Sequence, residues 1–186
     1  MKRAIGAVLA AVILMVSCLS GCGGGGEIKI SKDTFPDNGK LKLSASEEKI
    51  IQSQGLESRG ELYEELSERF YFTKEGSPTE ICGVPFNAGY RFDDQGSLIS
   101  VSYTACDLSD MDSLEDTDAN LKSFNQIKAQ FDSVYGKTDA YNDEENPFKK
   151  ADWKTSDDLG NSYHVCLWVA GINGPDGLLN LVVEKK

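Results

Sequence analysis

His164 is the only histidine in the chain, so it is the first residue to test for chemistry. An imidazole that titrates near neutral pH suits general acid–base work. A hydrolytic triad also needs a positioned acid and a nucleophile. The nearest upstream serine, Ser162, sits in Gly160-Asn161-Ser162, which lacks the Gly-x-Ser-x-Gly turn that presents a nucleophile. One imidazole cannot supply a His-rich zinc set either. His164 is therefore read as a strand residue beside Trp168. Carboxylates are abundant, with 30 Asp+Glu, so calcium is the better metal question. A calcium loop needs acids at alternate positions, a glycine at the sixth and a glutamate at the twelfth. Setting Gly39 sixth puts Thr34 first and Ala45 twelfth, which fails. Asp116, Asp118 and Asn120 alternate correctly, but Leu121 replaces the glycine and Ile127 takes the last place. They remain a weak candidate, and no metal site is expected. The run Asp107–Asp118 holds six acids and no base. It reads as a solvated loop leading into a helix, whose N-terminal dipole favours negative charge.

Two other residue sets invite a functional reading. Cys82 and Cys106 lie near opposite ends of one predicted hairpin, and a bridge between them would contribute about 2–4 kcal/mol. Parity puts the two thiols on opposite faces, so the bridge would need a bulge near Gly83 and Pro85. Buried free thiols are the alternative, and Cys166 is most simply core. No Cys-x-x-Cys occurs, so no redox motif is expected. The strip Tyr90, Tyr103, Tyr163 and Trp168 could line a ligand or partner face. Equally it is sheet core, which strand propensity favours.

The N-terminus carries the clearest message. Met1-Lys2-Arg3 is basic, residues 4–16 are an unbroken apolar run of thirteen, and Leu19-Ser20-Gly21-Cys22 follows. A bilayer span needs about 20 apolar residues, whereas this length fits a secretory signal. The four-residue motif resembles the lipobox of bacterial lipoproteins. In that family the cysteine takes a diacylglyceryl thioether and becomes the first residue after cleavage. The resemblance implies a signal peptide over 1–21, a lipid on Cys22 and a tether over 22–30. It implies a place on the outer face of a bacterial membrane. The glycine-rich exit favours a Gram-positive surface over a periplasm. Cys18, after Met15-Val16-Ser17, is a second and poorer candidate. Two acyl chains make a stable anchor at about 0.8 kcal/mol per buried CH₂.

The remaining 165 residues carry a net charge of −13, against −11 for the whole chain, because residues 1–21 hold two bases and no acid. A chain this acidic is unsuited to tracking nucleic-acid phosphates, so no nucleic-acid partner is expected. It is also repelled by anionic head groups, which leaves the lipid to hold it at a membrane.

Residues 31–186 are expected to form one domain. Residues 27–43 alternate as two short strands around the turn Pro36-Asp37-Asn38-Gly39. Ser44-x-x-Glu47 reads as a capping box opening a helix over 46–54, and Gly55 ends it. Leu62, Leu66 and Phe70 recur every four residues, which predicts a second helix over 60–70. Residues 79–106 read as a hairpin turning at Asp93-Asp94-Gln95-Gly96. Ser123 and Gln126 read as another capping box. Phe124, Ile127, Phe131 and Val134 then give the strongest helical spacing, closed by Gly136. A three-strand meander centred on Trp153, 163–170 and 178–184 completes the chain. The fold class is α+β: an antiparallel sheet with amphipathic helices packed on one face. A helix-plus-strands unit reads twice along the chain, as a pseudo-repeat in topology only. This order resembles small extracytoplasmic lipoproteins and β-lactamase-inhibitor-like modules, which stack helices on a curved antiparallel sheet. That resemblance carries no residue motif and no activity.

The function expected is a membrane-anchored, non-enzymatic binding or scaffold module. Its partner would be an envelope or extracellular protein or a small ligand, and the covalent lipid would be its only added group. A small envelope hydrolase and a weak calcium-binding surface module are the alternatives.

Overall fold

The computed structural model describes residues 30–58, 68–105, 117–143, 148–170 and 178–186. The chain opens with a hairpin of β1 (Thr34–Phe35) and β2 (Asn38–Lys42), then α1 (Glu47–Gln54). There follow β3 (Leu56–Ser58), β4 (Glu68–Thr73), β5 (Thr79–Ile81), β6 (Val84–Asp93) and β7 (Leu98–Ala105). Helix α2 (Thr117–Tyr135) leads to β8 (Tyr141–Asp143), β9 (Phe148–Ser156), β10 (Ser162–Ala170) and β11 (Leu178–Lys185). All strands except the opening pair join one nine-stranded antiparallel sheet. Its order is β3-β4-β6-β7-β11-β10-β9-β8, with β5 also paired to β6. The expected hairpin and meander thus meet where β7 pairs with β11, and the α+β class with an antiparallel sheet holds.

Period-two alternation builds the sheet. Residues directly opposite each other on paired strands share a face. One register row runs Tyr90, Val101, Val183, Val165, Trp153. The next runs Ala88, Tyr103, Leu181, Leu167, Ala151. Every member of both rows is buried. Phe35 of the N-terminal hairpin meets Tyr90 at 5.8 Å between ring centroids, and Phe131 of α2 meets Trp153 edge-on at 5.4 Å. These contacts load the two ends of the same row. Full burial of a Phe side chain contributes about 1.5–3 kcal/mol.

Several local expectations are corrected. Ser44 does not cap α1. Its hydroxyl bonds Asp158, and the N-cap is Ser46, which makes no side-chain cap bond. Gly55 does end the helix in the left-handed conformation, φ 60°. The second predicted helix fails over 68–70, because Glu68, Arg69 and Phe70 pair with β6; residues 59–67 lie outside the described residues. The predicted hairpin over 79–106 holds an extra two-residue turn, Cys82-Gly83, which makes β5 a separate strand. Both turn residues have positive φ, 54° and 79°, as the tightest hairpin turns require. Ser123 does not cap α2, since the helix starts six residues earlier at Thr117. Phe124, Ile127 and Phe131 are buried as their spacing predicts, and Gly136 follows the last turn at φ 104°.

Candidate functional site

The faces opposite the buried rows form the candidate surface. One row there runs Phe72, Gly89, Ser102, Val182, Cys166, Asp152. A second runs Phe70, Arg91, Ser100, Glu184, His164, Lys154. A third runs Asn87, Thr104, Asn180, Trp168, Lys150, Tyr141. No member of these rows is buried. Strand β7 contributes only Ser100, Ser102 and Thr104 here, flanked by Asn180, Val182 and Glu184 on one side and by Asn87, Gly89 and Arg91 on the other. The result is a hydroxyl-lined valley. Thr104 Oγ1 bonds Asn180 Oδ1 at 2.9 Å across it. The phenyl ring of Phe72 lies over Gly89, where an added Cβ would come within 3.0 Å of the ring. Phe72, Glu75, Asn87, Gly89, Ser102 and Thr104 line a hollow of about 500 Å³. Arg91, Lys150 and Lys154 offset Glu68, Asp152 and Glu184 on this face, and Asp93, opposite Glu68, and Glu75, on the hollow, add two further acids. Lys186 draws the Glu184 carboxyl below its ordinary range.

His164 sits at one end of this face. Its Nε2 stands 2.7 Å from Asp152 Oδ1, yet that oxygen has no partner in hydrogen-bond geometry. The contact is therefore an ion-pair distance without alignment. Lys150 reaches Asp152 Oδ2 at 3.1 Å. Cys166 is directly opposite Asp152. Burial pushes its thiol up to about 11, and the neighbouring Asp152 charge adds to the shift. A thiol so poorly ionised at neutral pH is a weak nucleophile. No Ser, Thr or Cys bonds the imidazole among the described residues.

The aromatic strip proposed from sequence is not one strip. Tyr90, Tyr103 and Tyr163 are 1%, 0% and 2% exposed, on the core face. Trp168 lies on the opposite face with Phe148, ring centroids 6.1 Å apart. Period two explains this: Tyr163 and Trp168 are five residues apart on one strand, so they point to opposite faces. Of the weak calcium set, Asp116 lies outside the described residues, while Asp118 and Asn120 fall in the first turn of α2. No group of three His, Cys, Asp or Glu side chains is placed to hold a metal among the described residues. Cys82 donates to Gln130 Oε1 at 3.0 Å, and burial pushes its thiol up to about 12. Cys106 lies outside the described residues, as do Cys18 and Cys22.

The sequence reading missed Asp37. It gave this residue to a surface turn, whereas it is 6% exposed. Its Oδ1 accepts from Tyr103 OH at 2.9 Å. Its Oδ2 accepts from Thr79 Oγ1 at 3.0 Å, Gln54 Nε2 at 3.2 Å and Tyr90 OH at 3.2 Å. Desolvation raises its pKa despite these four donors, and both tyrosines titrate well above their ordinary value. The available signal was two core-parity tyrosines, whose buried hydroxyls require partners. Asp37 ties the hairpin, α1 and three sheet strands together. It is sealed from solvent, which suits support of the fold rather than chemistry.

Comparison with protein-family models, curated proteins and solved structures finds no match for the chain. Among the described residues no helix is long and apolar enough to cross a membrane.

Proposed function

We propose that the chain is a lipid-anchored, extracytoplasmic binding module, non-enzymatic, whose open sheet face receives a partner protein of the envelope. Both helices cover the other face. In support, Ile50 of α1 is buried in the same core as Phe131 of α2. Glu47 of α1 also holds Arg69, opposite core residue Phe92, through two bonds of 2.7 and 2.8 Å. The observation that carries the functional reading is the valley along β7, lined there by the uncharged Ser100, Ser102 and Thr104 and uncovered among the described residues, with Phe72 on one side and Trp168 on the other. Interfaces enrich aromatic residues and deplete uncompensated charge at their centre. The anchor rests on the Lys2-Arg3, residues 4–16 and Leu19-to-Cys22 sequence.

Two measurements test this reading. Mass spectrometry of Cys22→Ala should find an unlipidated precursor; a normally cleaved mature form would contradict the anchor. Quantitative capture from intact cells should enrich one envelope protein with the wild type, and Ser102→Arg should lose it. Equal enrichment by both would remove the face assignment.

A further inference from the structure

We propose that the outer edge of β9 at Asp152–Lys154 docks an extended segment of a partner protein as an added antiparallel strand, with an acidic side chain opposite Lys154. This rests on backbone pairing at the sheet edge, not on the open face.

β8 covers only Phe148–Lys150 of β9. Beyond that point alternate residues of β9 still direct their N–H and C=O groups away from β10. No backbone group pairs with them among the described residues. Unpaired strand edges are templates for another chain.

The chain's own residues 136–140 run towards Tyr141 but do not close this edge. The Thr138 N–H donates to Asp132 Oδ1 at 3.2 Å, and its carbonyl accepts from Lys128 Nζ. The same Asp132 oxygen takes Trp153 Nε1 at 3.0 Å, and Lys128 closes the cluster at 2.7 Å. Burial works against the Asp132 charge, but these donors outweigh it and hold the carboxyl low. Continuing the β8 register would also set Asp139 opposite Asp152, a like-charge pair. Both features hold the segment off β9.

A groove of about 390 Å³ remains over the edge. Tyr135, Gly136, Thr138 and Trp153 line its core side, and Lys154 and His164 its open-face side. Its uncommitted charge is positive. Lys137 and Lys154 are exposed and make no ion pair among the described residues, whereas Asp152 is paired with Lys150 at 3.1 Å. The incoming strand should read, in its own direction, an acid opposite Lys154, an apolar residue opposite Trp153 and a neutral hydroxyl opposite Asp152.

The test is amide-shift NMR of the full ¹⁵N-labelled chain with acetyl-Thr-Glu-Val-Thr-Thr-amide up to millimolar concentration. Saturable shifts at Asp152–Lys154 are expected. The fully N-methylated peptide, which keeps the side chains and loses the backbone donors, should shift nothing. Lys154→Glu should weaken binding about threefold or more, the scale of an exposed ion pair. The idea is overturned by absent shifts, by equal binding of the methylated peptide, or by an unaffected Lys154→Glu chain. Any of these would leave capture at Ser102 untouched, so the two readings fail separately.

Discussion

On one side of β7, Val101 and Tyr103 are fully buried; on the other, Ser102 and Thr104 stand in solvent. The backbone is shared, so the difference lies in what side chains alternate along it. The core side is closed by large apolar groups, and its buried carboxylates, Asp37 and Asp157, are each matched by four neutral donors. The open side carries its carboxylates beside cations, at 3.1 Å for Lys150–Asp152 and 3.6 Å for Arg91–Glu68. A buried charge must be satisfied locally or it destabilises the fold, whereas an exposed one can exchange its partner for water or for another molecule. The comparison therefore separates residues that hold the chain together from residues free to meet something else.

The largest expected effect is on the core side. Phe131→Ala removes a ring packed on Trp153 and Tyr135 and should cost about 3–5 kcal/mol in urea unfolding. A loss under 1 kcal/mol would mean that α2 is not part of the core. Asp37→Ala orphans the hydroxyls of Tyr90, Tyr103 and Thr79 and the Gln54 amide. It should cost about 3 kcal/mol by the same measurement, since each unsatisfied buried donor is worth about 1–3 kcal/mol and water can enter the space.

Asp37 also gives a signed pH dependence. Its folded pKa lies above the ordinary 3.8, so the folded chain binds that proton more tightly than the unfolded one. The resulting stabilisation is fully present below about 3.8 and is lost as pH rises through the raised folded value. Asp132 and Asp157 act in the opposite sense, because donors hold both below their ordinary range. The difference between wild type and Asp37→Asn isolates the term. Wild-type stability minus that of the variant should fall as pH rises above 3.8, and parallel curves would show that Asp37 is not desolvated in solution. The smallest effect belongs to the open side: Ser102→Arg should change stability by no more than about 0.5 kcal/mol. A larger loss would make this side structural.

How much of this was legible in the sequence follows from range. Alternation over Val84–Phe92 and 163–170 and the 3–4 spacing of Phe124 to Phe131 are local, and each element formed where its pattern lay. Parity alone already divided Tyr163 from Trp168. The failures came from competition at longer range. Ser44 was a plausible cap until Asp158, far along the chain, took its hydroxyl. Phe70 kept helical spacing with Leu62 and Leu66, yet its stretch pairs with β6. Asp37 looked like a turn residue because its partners are 17 to 66 positions distant along the chain. The open face was not visible as a site because Ser and Thr at alternate strand positions signal only solvent. Position beside Phe72 and Trp168 gives them meaning, and that requires the order of the strands.

The most direct test of the two-face account is site-specific photo-cross-linking in intact cells. A photoreactive residue at Ser102, on the open face, should yield one reproducible adduct with an envelope protein. The same residue at Lys49, exposed on α1, should yield none. Adducts of equal strength at both positions, or at Lys49 alone, would contradict the assignment of the open sheet face as the surface that meets a partner.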